Sequence, residues 1–144
     1  MSKQVPDHHD ADLVLKIYDL RREPVMRESR DLLNRDYWPR NEKEAVAVTA
    51  PDHPLNRQYR QVGTYWEMVY GFAKHGVVNP DFLLDSNGEG LLLFARVEPF
   101  LDAMRKATNA RAFAKAEWIA NSCDVGRTLM EYFRARVQKK LSGK

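Results

Sequence analysis

Residues 54–104 read PLNRQYRQVGTYWEMVYGFAKHGVVNPDFLLDSNGEGLLLFARVEPFLDAM, and the fold turns on how this stretch is read. Leu55, Tyr59, Val62, Trp66, Val69 and Ala73 recur at alternating steps of four and three. That spacing places all six on one side of a helix. Tyr65, Met68 and Phe72 widen the face, and Gly76 supplies a left-handed stop after Lys74 and His75. A second apolar run, Leu91 to Met104, follows a short segment opened by Asn79-Pro80, a cap followed by a first-turn proline. The stretch therefore predicts a long central helical hairpin inside an all-α, single-domain helical bundle of about five to seven helices.

Working outward, residues 1–10 read as a flexible N-terminal arm, residues 11–141 as one helical domain and residues 142–144 as a frayed tail. Asp10 is placed to cap a helix from Ala11 to about Arg21, and Pro24 to open a second that runs to about Asp36. Residues 42–50 suit a helical turn or two. Asp52 is the expected cap of the long helix. Gly63 and Gly71 inside it each cost about 1 kcal/mol relative to Ala, which suggests close packing on two sides. Pro99 should kink the helix expected over residues 89–107. Thr108 or Asn109 is the expected cap of a further helix carrying Phe113, Trp118 and Ile119, and Asp124 of a last one with Leu129, Phe133, Val137 and Leu141 on its stripe.

Composition narrows the function classes. The chain is 44% apolar and 30% charged, which excludes disorder and a membrane-embedded domain. Its longest apolar run, Leu91 to Ala95, is far shorter than a span, and the first residues carry no signal-peptide core, so a cytoplasmic protein is expected. The lone Cys123 excludes an internal disulfide and a thiolate-rich zinc site. Charge is uneven: residues 1–100 hold 13 Lys and Arg against 16 Asp and Glu, residues 101–144 hold 10 against 4.

Several chemistries are tested and set aside. Asp85-Ser86-Asn87-Gly88-Glu89-Gly90 opens like a calcium loop, but Arg96 stands where the bidentate Glu belongs. His8, His9, His53 and His75 form no metal-ligand spacing, so no metal and no cofactor are expected. No phosphate-cradling glycine loop and no nucleophile elbow occurs. Glu67 is the most notable single residue. It sits mid-helix among aromatic residues, and if buried it needs a partner: either a structural ion pair, with Arg60, Arg96 and Arg105 as candidates and Glu67–Arg96 the pair singled out, or amide donors that hold the carboxylate. Arg127, Arg134, Arg136, Lys139 and Lys140 make the C-terminal helix basic, a candidate anion-binding set. Arg136 and Lys140 share one side of that helix, and Arg127 and Arg134 lie on another.

Tyr65-Trp66-Glu67, His75-Gly76-Val77-Val78, Phe82-Leu83-Leu84-Asp85, Gly90, Glu98-Pro99-Phe100-Leu101 and Arg105, with Glu117-Trp118, form a recurring order. Over residues 62–118 it resembles a poorly characterised bacterial family of all-helical domains of unknown function. The resemblance implies a helical bundle and transfers no catalytic residue. The preferred reading is a soluble, non-enzymatic protein-interaction module, with a homo-oligomer through its aromatic-rich helices as one form it can take. The alternatives are a binder of nucleic acid or another anionic partner through the basic C-terminal helix, and an enzyme with a pocket around Glu67. No membrane partner is expected.

Overall fold

The computed structural model describes residues 2–143 of the 144. Met1 of the expected arm and Lys144 of the expected tail lie outside the described residues. The chain is all-α: α1 (His8–Arg21), α2 (Pro24–Asp36), α3 (Glu42–Ala47), α4 (Asn56–Lys74), α5 (Pro80–Ser86), α6 (Glu89–Val97), α7 (Leu101–Ala107), α8 (Ala114–Ser122) and α9 (Asp124–Ser142). A 3-10 turn, Glu98–Phe100, separates α6 from α7. The kink expected at Pro99 is thus a break into two helices, because proline donates no hydrogen bond there.

α4 is the axis. α2 lies along one side of it and α8 along another, while α9 packs across α6 and α8. Most of the predicted stripe is inside, with Val62 3% exposed, Trp66 2%, Val69 and Ala73 0%, whereas Leu55 and Tyr59 are half-buried and Met68, expected to widen the face, is exposed. Phe133 is buried too, whereas Phe72 and Phe100 are only partly covered. α5 and α6 both come back against α4, and α6 approaches it closely at Gly90. A Cβ there would stand 2.6 Å from Trp66 Cγ and from the Tyr70 hydroxyl. Only glycine lets α6 begin that close to α4. Of the two glycines within α4, Gly71 meets the Lys115 side chain, whereas a Cβ at Gly63 would touch nothing.

Local signals place several ends well. Asn79 Oδ1 accepts the Phe82 N–H at 2.8 Å ahead of Pro80, and Gly76 takes φ 78° after α4. Others are corrected. α1 starts three residues early, capped by Asp7 instead of Asp10. Asp10 is fully buried, where it accepts the Asn79 N–H at 2.8 Å and pairs with Lys3. The arm is tied down there as well, since Asn79 Nδ2 donates to the Lys3 and Gln4 carbonyls at 2.9 and 3.1 Å. α4 begins after Leu55 with no side-chain cap, so Asp52 does not play that role. α8 begins only at Ala114, behind Phe113 at φ 60°, not at Thr108 or Asn109. Asp124 is the first residue of α9 and not its cap. Asp81 of α5 reaches across to accept the Val125 N–H at 3.0 Å.

A polar brace joins α2 to α6. Arg30 donates through Nε and a terminal nitrogen to the two oxygens of Glu89, both at 2.7 Å. Burial is the largest single influence and works to raise the Glu89 carboxyl, but the bonds and charge of Arg30, joined by Asn34 and the charge of Arg21, together outweigh it and hold the group below its ordinary 4.5. A carboxylate depressed in the fold stabilises fully above its unfolded value and loses that contribution as pH falls through the lower one. Urea midpoints should therefore drop as the chain is acidified from about pH 5 to about pH 3, and drop less in Glu89→Gln. An equal drop in both proteins would assign the acid sensitivity elsewhere.

Candidate functional site

The residues singled out as chemistry serve the scaffold. Glu67 and Arg96 are not brought together. Glu67 Oε1 accepts the Lys115 N–H at 3.0 Å and Oε2 the Ala116 N–H at 2.9 Å. A carboxylate on α4 thus caps the start of α8, satisfying two donors that a helix N-terminus leaves open. Neither Arg60 nor Arg105 is its partner. Arg60 Nε bonds Asn56 Oδ1 at 3.0 Å. Arg105 Nε donates to the Ala112 carbonyl at 3.0 Å, and a terminal nitrogen to Glu117 at 2.8 Å. Together Glu67 and Arg105 bracket the loop that holds Phe113 in its left-handed conformation.

Arg96 is 1% exposed and has no carboxylate partner. Its guanidinium donates to the Leu33 carbonyl at 3.0 Å, the Tyr37 carbonyl at 2.8 Å and Asn34 Oδ1 at 2.8 Å. They gather at the end of α2, where the helix dipole is negative, and the Leu33 carbonyl among them also accepts the Tyr37 N–H at 3.0 Å. Nε is buried without a bond. Burial pushes the group down to about 10, which leaves it a cation at neutral pH. It also lies 4.8 Å from the centre of the Trp38 ring.

Trp38 leads to a place where positive charge gathers. The indole follows α2, and its Nε1 is pinned to the Asn34 carbonyl at 2.7 Å. Beside it runs a groove of 920 Å³, walled by Asn34, Trp38 and Arg40 on one side and by α9 on the other. The expected basic set divides here. Arg127 is engaged with Asp124 at 2.6 Å and with the Asn121 carbonyl at 2.9 Å. Arg134 makes a two-pronged pair with Glu98, both bonds at 2.8 Å, and neither residue lines the groove. Arg136, Lys139 and Lys140 do line it. The side chains of Arg136 and Lys139 make no hydrogen bond or ion pair among the described residues, and Lys140 stands 5.5 Å from the centre of the Trp38 ring. Arg40 closes the end by donating to the Leu141 carbonyl at 2.7 Å.

No Asp or Glu lines the groove among the described residues. Four cations around a half-buried indole make a site for an anion with an apolar part. Trp38 and Arg40 escaped the sequence reading because Tyr37-Trp38-Pro39-Arg40 signals only the end of a helix. Their partner helix is about a hundred residues further along, and no local pattern links them.

The family described as "Domain of unknown function (DUF4760)" matches residues 6–123. The chain belongs to the DUF4760 family. No curated protein and no solved structure was found to match it. The DUF4760 match encloses the residues 62–118 that carry the resemblance, including Glu67, Arg105 and Glu117. It also encloses Trp38 and Arg40. It ends at Cys123, so α9 and its three groove cations follow the matched segment. Among the described residues no helix is long and apolar enough to cross a membrane, and no group of His, Cys, Asp or Glu is placed to hold a metal ion.

Proposed function

We propose that this DUF4760 chain is a non-catalytic binding module, and that the groove between the end of α2 and α9 receives an anionic partner. The observation that carries this reading is the accumulation of Arg40, Arg136, Lys139 and Lys140 around Trp38, with no Asp or Glu lining the groove among the described residues. Native surfaces ordinarily intersperse the two signs, and a concave patch of one sign concentrates the opposite charge. The reading departs from a general basic helix in a specific way. Arg127 and Arg134 have internal partners and contribute little to binding, while Arg40, on the far side of the groove, contributes.

The reading that places an enzyme pocket around Glu67 is weaker. Both Glu67 oxygens are engaged by backbone N–H groups, and the cleft between Tyr59 and Phe113 is not lined by Glu67. A carboxylate so held is a poor proton carrier.

Retention on immobilised heparin across a salt gradient tests the proposal. The unsubstituted chain should bind at low salt. Arg136→Ala combined with Lys139→Ala and Lys140→Ala should lose most of that retention and lower the salt dependence of log affinity by about two to three. Arg127→Ala should elute with the unsubstituted chain. Absence of binding at low salt, or equal losses in both variants, would remove the groove from consideration.

A further inference from the structure

The groove has a second regularity besides its charge. Tyr132, Ala135, Arg136 and Lys139 stand at i, i+3, i+4 and i+7 of α9, and all are exposed. Arg136, Lys139, Lys140 and Gly143 repeat the same four-residue frame one turn on. Gly143 keeps the helical register, since its N–H bonds the Lys139 carbonyl at 2.8 Å. Four residues in this arrangement outline the hole into which a facing helix inserts one side chain. The core side of α9, carried by Met130, Phe133 and Val137, is fully used. The groove side is a helix-packing seam with no helix on it, about 12 Å long from Tyr132 to Lys140.

Resting on the binding reading above, we infer that the occupant is an acidic amphipathic helix of a partner protein. A small or branched apolar side chain of that helix seats over Ala135, the gap between Tyr132 and Lys139, against Trp38. Carboxylates one turn apart on one flank meet Arg136 and Lys140, which are also one turn apart, and those on the other flank meet Arg40. Nucleic acid fits less well. The Trp38 ring already has Arg96 at 4.8 Å and Lys140 at 5.5 Å, so a base could stack there only by displacing a cation. Tyr132 leans on Phe133, with ring centres 5.5 Å apart.

The test is fluorescence anisotropy of the full chain with four labelled probes. These are a peptide of about three heptads with a Leu/Ala stripe flanked by Glu, the same peptide with two central residues changed to Pro, its Lys-flanked counterpart, and an oligo-dT strand of similar charge. The Glu peptide should bind in a salt-dependent way, the proline version at least about tenfold more weakly, and the Lys version not at all. Ala135→Trp fills the hole. It should weaken the Glu peptide by about tenfold or more while leaving helicity by circular dichroism unchanged. Equal binding of the proline-broken peptide, indifference to Ala135→Trp, or tighter binding of oligo-dT would overturn the helix assignment while leaving the anionic groove standing. A salt-sensitive dimer lost in Lys139→Glu would also overturn it, by making the occupant a second copy of the chain. If neither heparin nor any peptide binds, the groove itself fails.

Discussion

Gly126→Ala is expected to cost about 3 kcal/mol or more of folding stability, among the largest effects of adding one methyl group anywhere in this chain. The reason is the α8–α9 junction. The two helices are joined by the single extended residue Cys123, so the first turn of α9 lies against the last turn of α8. A Cβ on Gly126 would stand 2.2 Å from the Ile119 carbonyl oxygen and 3.2 Å from its carbon. Both are backbone atoms, and no rotamer change can relieve the overlap. Relief requires α9 to move, which would uncover Ile119, Met130 and Phe133. Gly63→Ala is the control. Its Cβ meets nothing, so the same chemical change should stabilise α4 by about 1 kcal/mol, the ordinary advantage of Ala over Gly in a helix. Urea unfolding of the two variants should therefore shift in opposite directions. A Gly126→Ala midpoint equal to that of the unsubstituted chain would mean that the helices do not meet as described.

Arg96→Leu should cost about 3–5 kcal/mol despite replacing a buried cation with an apolar side chain. Substituting both members of a buried pair can be harmless, but here the partners are the Leu33 and Tyr37 carbonyls and the Asn34 amide oxygen. Two of them belong to the main chain and cannot be removed. Tyr37 N–H already bonds the Leu33 carbonyl at 3.0 Å, so Arg96 supplies its second donor, whereas Arg96 is the donor that the Tyr37 carbonyl and the Asn34 oxygen share. Arg96→Lys should recover part of the loss, since it keeps the charge without the planar fork. The substitution should also weaken anion binding beyond its effect on stability, because Arg96 lies under Trp38 at the wall of the groove. Thermal unfolding and heparin retention of the two variants separate these effects. A loss below about 1 kcal/mol in Arg96→Leu would show that the end of α2 does not depend on it.

The same contrast explains what could be read in advance. Helical spacing, prolines and caps act within a few residues, so α2, α5, the body of α4 and the stop at Gly76 were legible. Burial of the Val62–Ala73 face followed from its period alone. The corrected starts of α8 and α9 share one cause, whereas at α1 Asp10 gives way to another local cap, Asp7. Asp124, Thr108 and Asn109 all have the side chains that cap helices locally, but the first N–H groups of α8 and α9 are met from elsewhere in space. Glu67 caps α8 from 48 residues away, and Asp81 takes the Val125 N–H from 44. A carboxylate's donors are unspecific, and sequence distance says nothing about which helix end will meet it.

By itself, then, the sequence determined the class of fold, the all-helical core and the excess of positive charge toward its C-terminal end. The tertiary structure alone decided which charges are free. Packing of α9 across α6 directs Arg134 to Glu98 and leaves Arg136, Lys139 and Lys140 facing Trp38 and Arg40. Periodicity is a property of one helix. A groove is a property of two, and the seat of α9 is set by contacts such as that of Gly126 with α8, which no local pattern ranks above any other glycine.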